Sequence, residues 1–158
     1  MASNSDVGLA DDAADRILTI TRTFDAPRAL VFRAWVESAQ IARWWGPEGF
    51  EMTSCEMEVR PGGVWRYCIR SPEGRDYWRH GVYREIVEPE RLVFTHVTDD
   101  PLGEIGHETL VEIIFTDAGS KTLMFFRQGE FDTVASCESH RAGWTSCFDR
   151  FERYLEKV

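Results

Sequence analysis

Apolar and polar positions follow a helical period most clearly near the C-terminal end of the chain. Large apolar side chains recur there three and four residues apart, which puts them on one face of an α-helix, and charged residues occupy the opposite face. The pattern predicts a helix over residues 133–156. Its apolar face consists of Trp144, Cys147, Phe148, Phe151, Tyr154 and Leu155.

Most of the remaining chain follows a different period. Apolar and polar residues alternate in short runs that are rich in β-branched and aromatic side chains, and turn-forming clusters of Gly, Pro, Asp and Ser separate most of the runs. A polar loop over 98–106 separates two of them. Because consecutive strands with short connections pair antiparallel, the pattern predicts an antiparallel sheet. The predicted strands are 16–24, 50–59, 64–70, 77–87, 91–97, 107–116 and 121–129.

Two short helices are predicted between the first and second strands. Asp25 lies two residues before Pro27, an order typical of a helix start with Asp25 as the N-cap, and this helix should reach about Trp35. Ser38 is the expected N-cap of the second helix, which should end at the Gly-Pro-Glu-Gly run of 46–49. The apolar face of that second helix is formed by Ile41, Trp44 and Trp45.

One antiparallel sheet and one long amphipathic helix define an α+β fold, because the helix can bury its apolar face only against the sheet. The length of 158 residues suits a single domain, and an apolar content of 43% is typical of a globular protein. The first fifteen residues contain four aspartates and no basic residue. We therefore expect a flexible acidic tail over 1–14 and a single domain over 15–158.

The chain is acidic, with a formal net charge of −9 that is still −5 without those four aspartates. An acidic surface repels phosphate, so nucleic acids and anionic membranes are not expected partners. No apolar run approaches the roughly 20 residues that span a bilayer, and the start of the chain lacks the basic and apolar regions of a signal peptide. We expect a cytoplasmic protein without membrane insertion.

The sequence contains no motif for a metal or a cofactor. Its cysteines form no CxxC pair, and reduced core thiols are the simplest interpretation. There is no phosphate-binding glycine motif and no GxSxG nucleophile motif. We expect no cofactor and no metal, and we assign no catalytic residue. The cysteines are Cys55, Cys68, Cys137 and Cys147.

A set of short motifs occurs in a characteristic order along the chain. The set comprises Asp25-Ala26-Pro27 followed by Val31-Phe32 and Trp35, then Trp44-Trp45-Gly46-Pro47, Arg60-Pro61-Gly62-Gly63, Pro72-Glu73-Gly74, the run from Glu85 to Thr95, and Gly143-Trp144. Together with the order of elements, it resembles the family named after the activator of the heat-shock-protein-90 ATPase, in its stand-alone bacterial form. The resemblance covers about 16–155 and implies the helix-grip fold of the START-like (SRPBCC) superfamily, a curved antiparallel sheet wrapped around a long C-terminal helix.

The resemblance also implies an apolar cavity between the sheet and the C-terminal helix. Successive strand residues point to opposite faces, so placing Arg66, Arg79 and Glu85 on the water side turns their sequence neighbours inward. A face with many aromatic and few polar side chains is typical of a small-molecule pocket. The candidate ligand-binding residues are Trp45, Trp65, Tyr67, Trp78, His80, Phe94, His96, Phe115, Phe126, His140, Trp144 and Phe148.

Histidines and one glycine are the remaining candidates for a special role. No carboxylate partner or metal-ligand spacing accompanies the three inward histidines, which favours a structural or ligand-bonding role over catalysis. Gly143 lies in the middle of the long helix, where glycine costs about 1 kcal/mol relative to alanine. Two interpretations remain open: the lack of a side chain allows α3 to approach the sheet or a ligand closely, or the glycine has no special role.

Three functions remain open. The leading hypothesis is binding of a small apolar or aromatic molecule in the cavity, since the superfamily includes lipid carriers and ligand-sequestering proteins. The second is an enzyme of the cyclase or hydrolase type, which needs two converging polar groups such as His80 with His96 or Tyr67. The third is a module that modulates a chaperone or another protein through an exposed apolar patch. A homodimer through an exposed strand or the short helices also remains open.

Overall fold

Seven strands and three helices lie within the described part of the chain, where residues 14–15 are also helical. The computed structural model describes residues 14–99 and 106–158, so the predicted tail up to residue 13 and most of the predicted 98–106 loop lie outside it. The strands are β1 Leu18–Phe24, β2 Glu51–Met57, β3 Val64–Arg70, β4 Asp76–Val87, β5 Arg91–Asp99, β6 Thr109–Ala118 and β7 Lys121–Gly129; the helices are α1 Arg28–Val36, α2 Ser38–Trp44 and α3 Val134–Leu155.

The strands form one curved antiparallel sheet in the order β1-β7-β6-β5-β4-β3-β2. The two halves of the meander join through β5 and β6, where Phe94 pairs with Val111 and His96 pairs with Thr109. β1 closes the other side by pairing with the last strand, so that Ile20 lies opposite Phe126. The predicted α+β fold with a helix-grip layout is confirmed.

Helix α3 packs its apolar stripe on the concave side of this sheet. Thr133 is its N-cap, and the Thr133 hydroxyl oxygen accepts a hydrogen bond from the backbone N–H of Ser136 at 3.0 Å. Five of the six predicted stripe residues are buried, and the sixth, Tyr154, is half-buried with its hydroxyl donating to Gln40 of α2 at 2.9 Å. Each large apolar side chain buried in this way stabilises the fold by about 1.5–3 kcal/mol, so α3 is a principal anchor of the domain.

An aromatic cluster fills the space between α1, α2, α3 and the sheet. Trp44 of α2 stacks on Phe151 of α3 with ring centroids 4.0 Å apart, and Phe151 also contacts Phe24 of β1 at 4.9 Å. Trp35 of α1 is fully enclosed, and its ring centroid lies 4.9 Å from that of Trp44. The two short helices therefore extend the apolar core beyond what the sheet and α3 enclose.

The short helices begin close to the predicted positions, at Arg28 and Ser38, but their N-caps differ from those predicted. Pro27 is the N-cap of α1 and Glu37 that of α2, and neither side chain makes a capping hydrogen bond. Ser38 is already the first helical residue. Asp25 lies too early because the carbonyl oxygen of Pro27 already accepts the first helical hydrogen bonds, from the N–H groups of Leu30 and Val31.

A β-bulge in β4 reverses the predicted facing of half of that strand. The pairing of β4 with β5 shifts between Tyr83 and Glu85, and a bulge adds one residue, which exchanges the two faces. Ile86, beyond the bulge, packs on the core as predicted. Before the bulge the inward residues are Tyr77, Arg79 and Tyr83, so the predictions that Trp78 and His80 face the cavity and that Arg79 faces water are wrong.

The wrongly placed residues have partners on the convex face instead. Trp78 receives the guanidinium of Arg66, whose Cζ lies 4.2 Å from the indole centroid, a cation–π distance. The Nδ1 atom of His80 lies 2.6 Å from a carboxylate oxygen of Asp99. Both contacts belong to the solvent side of the sheet.

All four cysteines are free thiols, as the sequence predicts, and three of them are buried. Within residues 14–99 and 106–158, no helix is long and apolar enough to cross a membrane. The same part of the chain contains no cluster of three or more side chains suited to a metal ion.

Candidate functional site

A cavity of about 240 Å³ lies between α3, the concave face of β3–β5 and the segment of residues 45–50 that follows α2. We call it the helix–sheet cavity. Pro47, Ser139 and Gly143, which are not buried, lie at its rim. Its walls are mainly aromatic and aliphatic, and the principal members are Trp45, Phe50, Tyr67, Ile69, Tyr77 and Trp144.

Two tryptophans and a tyrosine form a continuous aromatic wall. Trp45 comes directly after α2, and its ring lies edge-on to Tyr67 of β3 at 5.1 Å and to Trp144 of α3 at 5.0 Å. Three different elements thus converge on one indole. Such edge-to-face pairs add about 0.5–1.5 kcal/mol beyond simple burial, so this wall is well ordered.

A buried hydrogen-bond network fixes the orientation of Trp144. Its indole Nε1–H donates to the Oε1 of Gln128 at 2.7 Å, and the Nε2 of Gln128 donates to the Thr109 hydroxyl at 2.9 Å. The Thr109 hydroxyl in turn donates to the carbonyl oxygen of His96 at 3.3 Å. Gln128 is fully buried, and its amide uses both ends to connect α3 to β6.

Two histidines line the cavity side by side. The ring centroids of His96 on β5 and His140 on α3 are 5.8 Å apart. The Nδ1–H of His140 donates to the carbonyl oxygen of Ser136 at 2.9 Å, which leaves Nε2 as an acceptor. The ring of His96 is 3% exposed and has no hydrogen-bond partner on another residue of 14–99 or 106–158.

Burial keeps both imidazoles neutral near pH 7. It lowers the pKa of His96 well below its ordinary value, and the positive charge of Arg79 lowers it further. Burial also lowers the pKa of His140, although the hydrogen bond to Ser136 opposes this effect. The cavity therefore offers neutral donors and acceptors from these two residues.

The hydroxyl and thiol groups of the cavity are also held in their neutral forms. Burial raises the pKa of Tyr67 above its ordinary value and that of Cys147 to about 12. Cys147 is therefore a buried thiol rather than a reactive thiolate. Arg79 is the one permanently charged residue among the described lining residues.

The structure divides the candidate site residues into four groups. Trp45, Tyr67, His96, His140 and Trp144 line the helix–sheet cavity as predicted. Trp65 and Phe94 line a second, smaller gap of about 20 Å³, which Trp45 and Tyr67 also border. Phe115, Phe126 and Phe148 are buried in the aromatic core and do not line the cavity; Trp78 and His80 lie on the convex face.

Sequence reasoning missed several lining residues. Placing Arg79 on the water side also turns Tyr77 outward, because alternation along β4 alone does not reveal the bulge; Phe50 is predicted only as the start of a strand. Gly143 lines the cavity, but a Cβ added there would meet only Pro47 at 3.9 Å, so no close approach to the sheet requires a glycine. The signal that could have placed Arg79 was its alternation with Tyr77 and Tyr83.

The fold and the cavity define a class, the α+β helix-grip proteins in which a long C-terminal helix closes over a curved sheet. The chain belongs to the family described as activator of Hsp90 ATPase homolog 1-like proteins, whose family model matches residues 25–156. The resemblance drawn from the sequence motifs is thereby confirmed. The comparison with curated proteins found no match.

Solved bacterial structures show the same fold at low sequence identity. A protein from Chromobacterium violaceum is 22% identical, with a TM-score of 0.82 over 89% of this chain and 97% of that one. A protein from Nitrosomonas europaea is 21% identical, with a TM-score of 0.77 over 91% and 96%. A family member from Silicibacter pomeroyi is 25% identical, with a TM-score of 0.78 over 89% and 97%.

Proposed function

We propose that this protein binds a small, largely apolar or aromatic molecule in the helix–sheet cavity. The observation that carries the proposal is the helix–sheet cavity itself, a space of about 240 Å³ whose mainly aromatic lining includes the buried residue His96. A ligand that fills such a cavity removes apolar surface from water, which stabilises the complex by about 25 cal/mol per Å². The ring of His96 offers that ligand a hydrogen-bonding group in the same lining.

The walls support the same proposal. Trp45, Tyr67 and Trp144 present aromatic surface that contacts a ligand's apolar body, while a few polar groups fix its orientation. The raised pKa values of Tyr67 and Cys147 leave no reactive anion in the cavity. This combination favours reversible binding over covalent chemistry.

Native mass spectrometry of the purified protein, followed by a thermal-shift screen of apolar and aromatic compounds, tests the proposal. A ligand at 100 times its dissociation constant stabilises the folded state by about 2.7 kcal/mol, or about 5–10 °C for a chain of this length. We expect a co-purified small molecule or a concentration-dependent shift of this size. A broad library that yields neither would overturn the proposal.

Gly143→Leu provides a matched control. A side chain at position 143 enters the space beside Pro47 at the rim, where a Cβ meets no atom closer than 3.9 Å, and leucine is a better helix former than glycine. The variant should fold and lose the ligand-induced shift. A shift that survives in Gly143→Leu would place the binding site elsewhere.

A second candidate function is catalysis by polar groups of the same cavity. The pair of His80 with His96 is ruled out because His80 lies on the convex face. His96 and Tyr67 both line the cavity, so a proton-transfer role for the neutral His96 imidazole keeps support. Incubating each compound that binds with the protein and with a His96→Gln variant, then searching for products by mass spectrometry, distinguishes an enzyme from a binding protein.

A further inference from the structure

Arg79 occupies an unusual position for a charged side chain. It lies on the concave face of β4, opposite Tyr67 of β3 and Thr98 of β5 in the sheet register. Long charged side chains are rarely turned toward the inside of a fold unless they have a partner. Arg79 is half-exposed and lines the helix–sheet cavity, so it belongs to the concave side of the sheet rather than to the convex face.

The guanidinium retains unused hydrogen-bonding capacity. Its Nη1 donates to the carbonyl oxygen of Trp78 at 3.0 Å, and its Cζ lies 5.7 Å from the centroid of the Tyr77 ring. Arginine has five N–H donors, yet Arg79 has no ion pair within residues 14–99 and 106–158. By contrast, Arg70 at the end of β3 is paired with Asp76 at 2.8 Å.

The surroundings of Arg79 favour an anionic ligand. No described residue that lines the cavity is a carboxylate, so nothing there repels a negative group. The neutral ring of His96 lines the same cavity and can offer such a ligand one further hydrogen bond. The overall negative charge of the chain acts weakly at this site, because salt screens exposed charges beyond about 8 Å under physiological conditions.

On the basis of the binding function proposed above, we propose that the helix–sheet cavity selects aromatic carboxylates, with the carboxylate on the Arg79 guanidinium and the ring against Trp45, Tyr67 and Trp144. A planar guanidinium matches the two oxygens of a carboxylate with two parallel hydrogen bonds. The aromatic wall lies in the same cavity, so both parts of the ligand find complementary surfaces.

Matched pairs of acids and amides test this inference, since the two members differ in charge but hardly in shape. Suitable probes are naphthoate and naphthamide, cinnamate and cinnamamide, and phenylpropanoate and phenylpropanamide. Dissociation constants are measured by calorimetry and by quenching of tryptophan fluorescence. We expect each carboxylate that binds to do so at least about tenfold more tightly than its amide, since charge-assisted hydrogen bonds are about twice as strong as neutral ones.

Variants of two arginines on opposite faces of the sheet locate the effect. Arg79→Met should remove the preference for carboxylates, whereas Arg66→Met, on the convex face, should leave the preference unchanged. Arg79→Lys keeps the charge without the planar fork and should retain part of the preference. Arg79→Gln serves as the neutral variant if circular dichroism shows that Arg79→Met is unfolded.

The outcomes separate this inference from the function on which it rests. Equal binding of acids and amides, or a carboxylate preference that persists in the neutral Arg79 variants, would overturn the selection of anions and leave ligand binding in place. Failure of the acids, the amides and the broader apolar library to bind the unaltered protein would overturn both.

Discussion

The guanidinium of Arg150 on α3 donates from Nη1 to the carbonyl oxygen of Gly46 at 3.0 Å. The same nitrogen lies 3.0–3.3 Å from the carbonyl oxygens of Trp45, Pro47 and Phe50. A single side chain of α3 thus lies within hydrogen-bonding distance of four backbone oxygens in the segment of residues 45–50, which forms one wall of the cavity. The contact of Arg150 with this segment therefore stabilises the fold and also holds one wall of the helix–sheet cavity in place.

Replacing Arg150 by methionine should therefore weaken both. Hydrogen bonds to a charged group contribute about 1.5–3 kcal/mol, so we expect Arg150→Met to lower the free energy of unfolding by about 2 kcal/mol and to reduce ligand affinity. Urea denaturation and the thermal-shift assay measure the two effects. Arg153→Met is the matched control, because Arg153 makes an exposed ion pair with Glu48 and should lose far less. Equal losses in the two variants would contradict this role of Arg150.

The buried amide of Gln128 should be energetically coupled to Trp144. Gln128→Leu keeps the volume but leaves the indole N–H of Trp144 without its acceptor, which costs about 1–3 kcal/mol. In a Trp144→Phe background that N–H is absent, so the same substitution should cost less. A double-mutant cycle measured by urea denaturation should give a coupling of about 1 kcal/mol. Additive losses would show that the hydrogen bond does not orient Trp144.

Stability should fall as the solution becomes more acidic, and His96 should account for part of the fall. Burial and the nearby Arg79 lower the pKa of His96 in the folded state, so below the ordinary histidine pKa of 6.5 the unfolded state binds more protons. The sign therefore favours unfolding at low pH. Between about pH 7 and pH 5.5 the loss from His96 should be about 1 kcal/mol.

His96→Gln separates this contribution from those of other groups. His140, whose pKa is also lowered by burial, remains in the variant. The difference in unfolding free energy between pH 7 and pH 5.5 should thus be smaller in His96→Gln than in the unaltered protein. Identical pH dependence in the two proteins would refute the assignment to His96.

Substitution by alanine should change the free energy of unfolding in opposite directions at two glycines, Gly81 and Gly143. A Cβ at Gly81 would lie 1.9 Å from the carbonyl oxygen of Thr95 and 2.6 Å from Nε1 of Trp65, so β5 must shift, at a cost of about 1–3 kcal/mol. A Cβ at Gly143 meets only Pro47, and Gly143→Ala should gain about 0.5–1 kcal/mol from helix propensity. Urea denaturation of both variants checks the pair. Destabilisation by Gly143→Ala would mean that the mid-helix glycine has a structural role.

Elements with strong local periodicity were predictable from the sequence. The apolar stripe of α3 repeats over three helical turns, so residues close together in the chain are enough to define the buried face. Phe148 and Phe151, both predicted on that face, are fully buried. The strands of the meander were recognisable for the same reason. The family resemblance then predicted that the sheet wraps around the C-terminal helix.

The site was only partly predictable, because its facing depends on pairing between strands. Trp45, Tyr67, His96, His140 and Trp144 line the cavity as the sequence pattern predicts. Four of them lie in β3, β5 and α3 where the period runs without interruption, and Trp45 directly follows α2. Arg79 and His80 lie on the faces of the sheet opposite to those predicted. The reason is the bulge near Tyr83, which arises from the pairing of β4 with β5 and is not visible in the sequence of either strand alone.

The sequence by itself determined the α+β class, the order of the elements and the buried face of α3, because propensity and periodicity act over a few neighbouring residues. Only the tertiary structure decided that Arg79 lines the helix–sheet cavity and that Arg150 anchors the segment of residues 45–50. Those features depend on residues far apart in the chain, and their positions follow from packing and strand register rather than from local pattern.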